Sequence, residues 1–235
     1  MTSLGSVRDK ATGLSFARRS RLSRSTLEAA YEQEPIVARV VDRLPDDALR
    51  NGWSLVGADT TFDMKALRSR LEEAGIDQAL AQAARWSRLY GGALLCLPTG
   101  GTSPSTPLDL NNISGAYRPI VVSAYDARPV DMDAAFGSPT FRKILSYDIN
   151  NIDGDTIRIH HSRCIPFEPI QLPYEALFSS PTGWGPSVVD RIWDALSKEG
   201  ASRAHAVSMT YIASLMYLQV EGFRASHQTD RGREM

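Results

Sequence analysis

The side chains best suited to chemistry in this 235-residue chain are four histidines, His160, His161, His205 and His227, and two cysteines, Cys96 and Cys164. None stands in an H-E-x-x-H arrangement or in a cysteine pairing with zinc-site spacing, so no metal is expected. His160 and His161 are adjacent in a segment that reads as strand, where neighbours point to opposite faces and cannot share one ion. Two H-x-S/T triplets, His160-His161-Ser162 and His227-Gln228-Thr229, do offer a pair of imidazoles. Such a pair can act as general acid and base on a cyclic or 2',3'-linked phosphate. The second triplet lies in a polar tail, which weighs against that use.

The glycine-rich stretches RLYGGALL, PTGGTSP and PTGWGPS match neither G-x-x-x-x-G-K-S/T nor G-x-G-x-x-G, so no nucleotide cofactor is expected. RLYGG follows a helix and precedes a strand, the reverse of the order that presents a phosphate to a helix N-terminus. No G-x-S-x-G occurs, and Ser187, after Pro186 at a helix start, reads as an end-capping serine. Cys96 and Cys164 sit in the apolar runs LLCL and RCIPF and read as buried thiols in a reducing compartment. The chain therefore offers no catalytic set beyond the two histidine triplets.

These groups must be held by elements that composition already bounds. With 43% hydrophobic and 23% charged residues and a formal net charge of -1, the chain is a folded soluble protein. No run approaches the roughly 18 apolar residues of a membrane span, and the start lacks a secretion signal. Charge is uneven: residues 1–24 hold Arg8, Lys10, Arg18, Arg19, Arg21 and Arg24 against Asp9, a net of +5 that leaves -6 elsewhere. This basic leader is expected to be disordered, with contact to nucleic acid as the alternative.

From Ser25 the pattern becomes helical, since Ser25 and Glu28 have capping-box spacing. Pro35 suits a first helical position, and Ile36, Val37, Val40, Val41 and Leu44 continue until Pro45 and an Asn51-Gly52 turn, with a short strand at WSLV. Met64, Leu67, Leu71 and Ala74, then Ile76, Leu80, Ala83, Ala84 and Leu89, predict a helical hairpin punctuated by Gly75 and ended by Gly91 and Gly92. ALLCL predicts a buried strand, and Pro98 to Pro107 a surface loop. PIVVSAY, FRKILSYDI, TIRIH and CIPF predict further strands, with NNIDG joining the second and third as a hairpin. After Pro186 a helix is expected to pause at Gly200, resume as a long amphipathic helix and end near Val220. The fold class is α+β: an N-terminal helical part, a small mixed or antiparallel sheet, and long C-terminal helices packed together.

Three stretches, EPIVARVVDRLPDDALRNGWSL, ARWSRLYGGALLCL and IHHSRCIPFEPIQLPYEALFSSPTGWGPSVVDRIWDAL, resemble the phage portal proteins. This phage-associated family, formerly of unknown function, is also described as an anti-CBASS-protein-like N-terminal domain. The resemblance runs from Tyr31 to Phe223. Matching positions are Pro35, Arg43, Gly52 and Trp53, then Trp86, Arg88, Tyr90, Gly91 and Gly92. In the third stretch they are His160, Ser162, Arg163, Pro173, Gly183, Trp184, Gly185 and Ser187.

The resemblance implies a non-catalytic structural subunit of a homo-oligomeric ring, usually a dodecamer, at one capsid vertex of the virion. The ring assembles in the host cytoplasm and passes duplex DNA without sequence specificity during packaging and ejection. Terminase, capsid and tail adaptor proteins are its implied partners, with no membrane and no cofactor. It further implies a wing-like domain over 25–223 and a polar tail over 224–235. By this resemblance the stem, clip and crown are expected to be missing, as in a truncated or prophage-remnant form. Trp184 is expected to anchor a closely packed loop, and Arg163 to pair with an acidic group. The alternative reading is a two-histidine phosphodiesterase acting on cyclic nucleotides.

Overall fold

The computed structural model describes residues 20–54, 63–151, 153–173, 176–177 and 180–231, with backbone alone at 116 and over 215–231. They divide at Asp190 into two units. The architecture is α+β, and no described helix is long and apolar enough to cross a membrane. Of the basic leader, residues 1–19 lie outside the described residues. Its last residues are held: the Leu22 amide donates to Asp190 Oδ1 at 3.1 Å, and Arg24 opens the first helix.

Helix α1, Arg24–Gln33, is capped by Ser23, whose hydroxyl accepts from the Thr26 amide. This corrects the box expected at Ser25, because Glu28 is engaged by Arg24 at 2.9 Å and by the Tyr90 hydroxyl at 3.1 Å. Helix α2, Pro35–Leu49, starts on Pro35 as its first residue. It also passes through Pro45, where the sequence predicts a break. Helices α3, Met64–Glu73, and α4, Ile76–Tyr90, form the predicted hairpin, with Asp63 capping α3 and left-handed Gly75 between them. The predicted apolar face of α3 holds no buried residue. Trp53 and Ser54 are not in a strand, and the rest of WSLV lies outside the described residues.

Strand β1, Ala93–Cys96, is buried along its whole length. Strands β2, Thr99–Gly100, and β3, Gly115–Ala116, pair with each other, the former inside the stretch predicted as loop. Next come β4, Ile120–Ser123, and β5, Ala127–Met132, the latter unpredicted. Then β6, Ile144–Asn150, β7, Thr156–His160, and β8, Cys164–Phe167, follow. All pairings are antiparallel, in sheets of order β4-β1-β8, β2-β3 and β5-β6-β7 rather than one sheet. NNIDG joins β6 to β7 as predicted, with Asn150 opposite Thr156.

The apolar run of β1 follows from its position. Leu94 and Cys96 face a core of Ala124, Ala127, Tyr147, Cys164 and Trp184, while Leu95 packs with Ala79 and Ala83 of α4. A strand covered on both faces has no reason to alternate. Helix α5, Val188–Arg231, runs unbroken through Gly200 and through residues 224–231. This corrects the expected pause and paired C-terminal helices. A helical glycine costs about 1 kcal/mol relative to alanine, which weakens a helix without ending it. In the second unit Val207, Tyr211 and Ile212 are exposed.

Candidate functional site

Pro45 has no amide hydrogen, so the Val41 carbonyl one turn earlier loses its helical donor. Arg88 of α4 supplies the replacement, its Nε donating to Val41 O at 3.0 Å and its Nη2 to Val40 O at 2.7 Å. The helix thus survives its proline because a neighbouring guanidinium completes its hydrogen bonds. Arg88→Met is expected to destabilise the chain by about 1.5–3 kcal/mol, the range for a hydrogen bond from a charged group. In a Pro45→Ala background, where Val41 O regains a backbone donor, urea unfolding should show a smaller loss. Equal losses in both backgrounds would refute this role.

Gly91 takes φ +85° at the C-terminus of α4, and its Cα faces the backbone of Gly185, Pro186 and Ser187. A Cβ there would lie 2.8 Å from the Pro186 carbonyl carbon, and one on Gly92 would lie 3.0 Å from Trp184 Cγ and nearer its benzene ring. Gly185 presses on the Ile170 carbonyl and Gly183 on the Pro129 ring. Into the space between the sheets goes Trp184, fully buried, stacked on Tyr147 at 5.7 Å and donating Nε1–H to Ala127 O at 2.6 Å. Burial pushes the Tyr147 phenol well above its ordinary range.

Ser187 is the end-capping serine that the sequence predicts. Its hydroxyl accepts from the Val189 amide at 3.0 Å and donates to Arg88 O at 3.2 Å, while Asp190 Oδ2 accepts from the Ser187 amide at 3.0 Å. Asp190, not singled out from the sequence, completes the box, and its spacing from Ser187 is the signal that could have found it. Arg88, Gly91, Gly92, Gly183, Trp184, Gly185 and Ser187 therefore converge in one joint, although about 90 residues of chain separate its halves.

The remaining motif residues lie apart from this joint. Trp53 donates to Asp77 of α4 and lies under the Arg68 guanidinium at 4.0 Å, beside the exposed Gly52 turn. Arg43 pairs with Asp47, and the Pro173 carbonyl accepts from the Ala176 amide at 2.9 Å. Trp86 and Tyr90 meet edge to face at 6.1 Å, and Tyr90, desolvated and bonded to Glu28, has its phenol pushed up to about 12.

Arg163 is buried at 3% exposure and donates to Thr99 Oγ1 at 2.6 Å, to Thr106 O at 2.9 Å and to Thr102 Oγ1. The expected acidic partner is replaced by the hydroxyls and carbonyls of the 99–107 segment, which this side chain pins to the sheet. Cys96 and Cys164 are buried free thiols in register across β1 and β8, with sulfurs 3.7 Å apart. The hydrogen bond to Cys96 and burial both raise the Cys164 thiol.

His160 and His161 do not point apart as expected; their ring centroids are 4.4 Å apart. The strand ends at His160 and His161 opens a 3-10 turn, so alternation stops between them. His160 Nδ1 accepts from the Ser162 amide at 3.2 Å, and His161 Nδ1 lies 3.2 Å from Leu145 O. The H-x-S triplet is thus a turn cap. His227 lies in the part of α5 described by backbone alone. Among the described residues, no three His, Cys, Asp or Glu side chains gather as a metal site.

Desolvation, together with His161 and Arg163, holds the His160 imidazole below its ordinary value of 6.5. The unfolded chain then takes up a proton that the folded chain resists, so stability is full above about pH 6.5 and falls as pH drops through it. His160→Asn, which keeps an acceptor for Ser162, should flatten part of that fall in urea midpoints between about pH 7.5 and 5.5. An unchanged slope would rule out His160 as a contributor.

Residues 25–234 match the family described as phage portal protein, and the chain belongs to that family. Over 244 aligned residues it is 24% identical to a protein named anti-CBASS protein Acb1 from Caulobacter sp. (strain RHG1). That alignment covers 99% of this chain and 37% of the relative, so the chain spans little more than a third of that protein's length.

Proposed function

We propose that the chain is a structural subunit of a phage portal ring at one capsid vertex of the virion, assembled in the host cytoplasm. There the ring forms the channel for DNA packaging and ejection and the platform that meets the tail. Membership of the portal family carries the reading. The joint supports it, because the motif residues serve as close-packed contacts, caps and backbone donors. Such parts suit a subunit that must transmit load through rigid elements. The same reading takes residues 25–223 as a portal wing and gives the ring twelve copies, with terminase, capsid, tail adaptors and duplex DNA as partners.

Light scattering of the purified chain, with negative-stain imaging, tests the proposal. Closed rings with a central hole are expected. A monomer at every concentration would overturn the reading that this chain builds a portal by itself.

A second reading, a phosphodiesterase acting on cyclic nucleotides through His160 and His227, draws on the two triplets and on the relative named an anti-CBASS protein. It is the weaker one, because the second triplet, His227-Gln228-Thr229, lies in the polar C-terminal segment, in the part of α5 described by backbone alone. Loss of cyclic-nucleotide hydrolysis in both His160→Ala and His227→Ala would support it, and no hydrolysis by the unaltered chain would exclude it.

A further inference from the structure

Cys96 closes β1 and Cys164 opens β8, and the two stand directly opposite each other in the antiparallel ladder. The Leu97 amide donates to Arg163 O at 2.9 Å, so the next pair along, Leu97 and Arg163, is a hydrogen-bonded one. Alternation then makes Cys96 and Cys164 a non-hydrogen-bonded pair, the kind whose Cα atoms approach to about 4.5 Å and whose side chains lie closest. The Cys164 amide agrees with this, since it donates to His161 O and not to β1. A disulfide accepts Cα separations of about 4.4–6.8 Å, so the strands already stand at bonding distance. The sulfurs are 3.7 Å apart, and closing them to about 2.05 Å asks for side-chain rotation rather than strand movement.

The two sulfurs are not equivalent. Cys96 lines a cavity of about 720 Å³, with Thr99, Ile120 and Val122 also on its wall, and Cys164 is not on that wall. Cys164 donates its S–H to Cys96 Sγ, and this bond and burial hold its proton in place. A molecule the size of a peroxide therefore meets Cys96 first, and Cys164 is placed to attack what forms there.

We propose that Cys96 and Cys164 form an oxidation site, in which hydrogen peroxide oxidises Cys96 and Cys164 resolves the product into a disulfide that staples β8 to β1. In the first step the Cys96 thiol takes one oxygen from the peroxide, giving a sulfenic acid and water. In the second the Cys164 sulfur attacks the Cys96 sulfur, the S–O bond breaks, and hydroxide leaves with the Cys164 proton as a second water. Two thiols lose two electrons and two protons, and the peroxide takes up both. Burial makes the first step slow. Under the portal reading the bond forms when a virion leaves a reducing cytoplasm for oxidising surroundings. That timing rests on the portal reading, whereas the bond rests on the sulfur geometry and is tested without any ring.

The full chain is treated with excess hydrogen peroxide while folded, then denatured and alkylated. Neither cysteine should take up the alkylating agent, and digestion should release one peptide pair joined through Cys96 and Cys164. The bond closes a span of 68 residues, so the thermal midpoint should rise by about 5–15 °C and return on reduction. Two alkylated cysteines, sulfinic acid at both positions, or bonds only between chains would overturn the proposal. Variants read the order of events. Cys164→Ser should leave a sulfenic acid at Cys96 that dimedone traps, and Cys96→Ser should leave Cys164 a thiol at the same peroxide dose. Equal trapping in the two variants would overturn the assignment of Cys96 as the sulfur oxidised first.

Discussion

Trp184→Ala is expected to cost about 3–5 kcal/mol, the range for removing a buried aromatic side chain, and so to consume a large part of a typical domain's stability. The indole is fully buried between the β1 and β6 sheets, is stacked on Tyr147 and covers Gly92. Collapse around the cavity is limited, because the nearest neighbours are strand residues and backbone rather than mobile side chains. Trp184→Phe separates the contributions. It keeps an aromatic ring over Tyr147 but leaves the buried Ala127 carbonyl without its donor, which should cost about 1–3 kcal/mol. Urea unfolding followed by far-ultraviolet dichroism measures both, and a loss below about 1 kcal/mol for the alanine variant would contradict this packing.

Gly91→Ala should lose about 2–5 kcal/mol from two causes that can be measured apart. A left-handed backbone costs an L-residue about 1–2 kcal/mol. The added methyl also meets the Gly185–Ser187 backbone, which cannot rotate away as a side chain could. Gly154 provides the control: its φ of +86° matches the +85° of Gly91, but nothing lies within 4 Å of a Cβ built there. Gly154→Ala should therefore show the conformational cost alone, and the difference between the two variants isolates the clash. Equal losses would mean that α4 and the 183–187 segment are not locked as described.

How much of this was legible in the sequence depended on whether the signal was local. The helical hairpin, the buried β1, the β6–β7 hairpin and the capping role of Ser187 were legible, since spacing, turn residues and apolar runs report on neighbours in the chain. Strand β5 was not: Pro129 and Asp131 hide its period, and the pairing with β6 slips between Pro129 and Met132. Pro45 read as a break because its rescuer, Arg88, lies 43 positions away. Arg163 read as half of an ion pair because charge suggests a charged partner, whereas the hydroxyls that bind it lie in a segment that read only as loop. The resemblance marked the residues of the joint without saying that they touch. That the glycines of one motif make room for the tryptophan of another is a tertiary fact.

Arg88 and Pro45 carry a consequence for descent. With alanine at 45, the Val41 carbonyl has a backbone donor again and Arg88 becomes dispensable there. With proline at 45, loss of the arginine strands that carbonyl at once. The order of change is therefore directional: proline first and arginine later is an accessible path, and the reverse crosses a less stable intermediate. Portal relatives are then expected to keep arginine at this place wherever the proline stands, and to vary it freely only where the proline is gone.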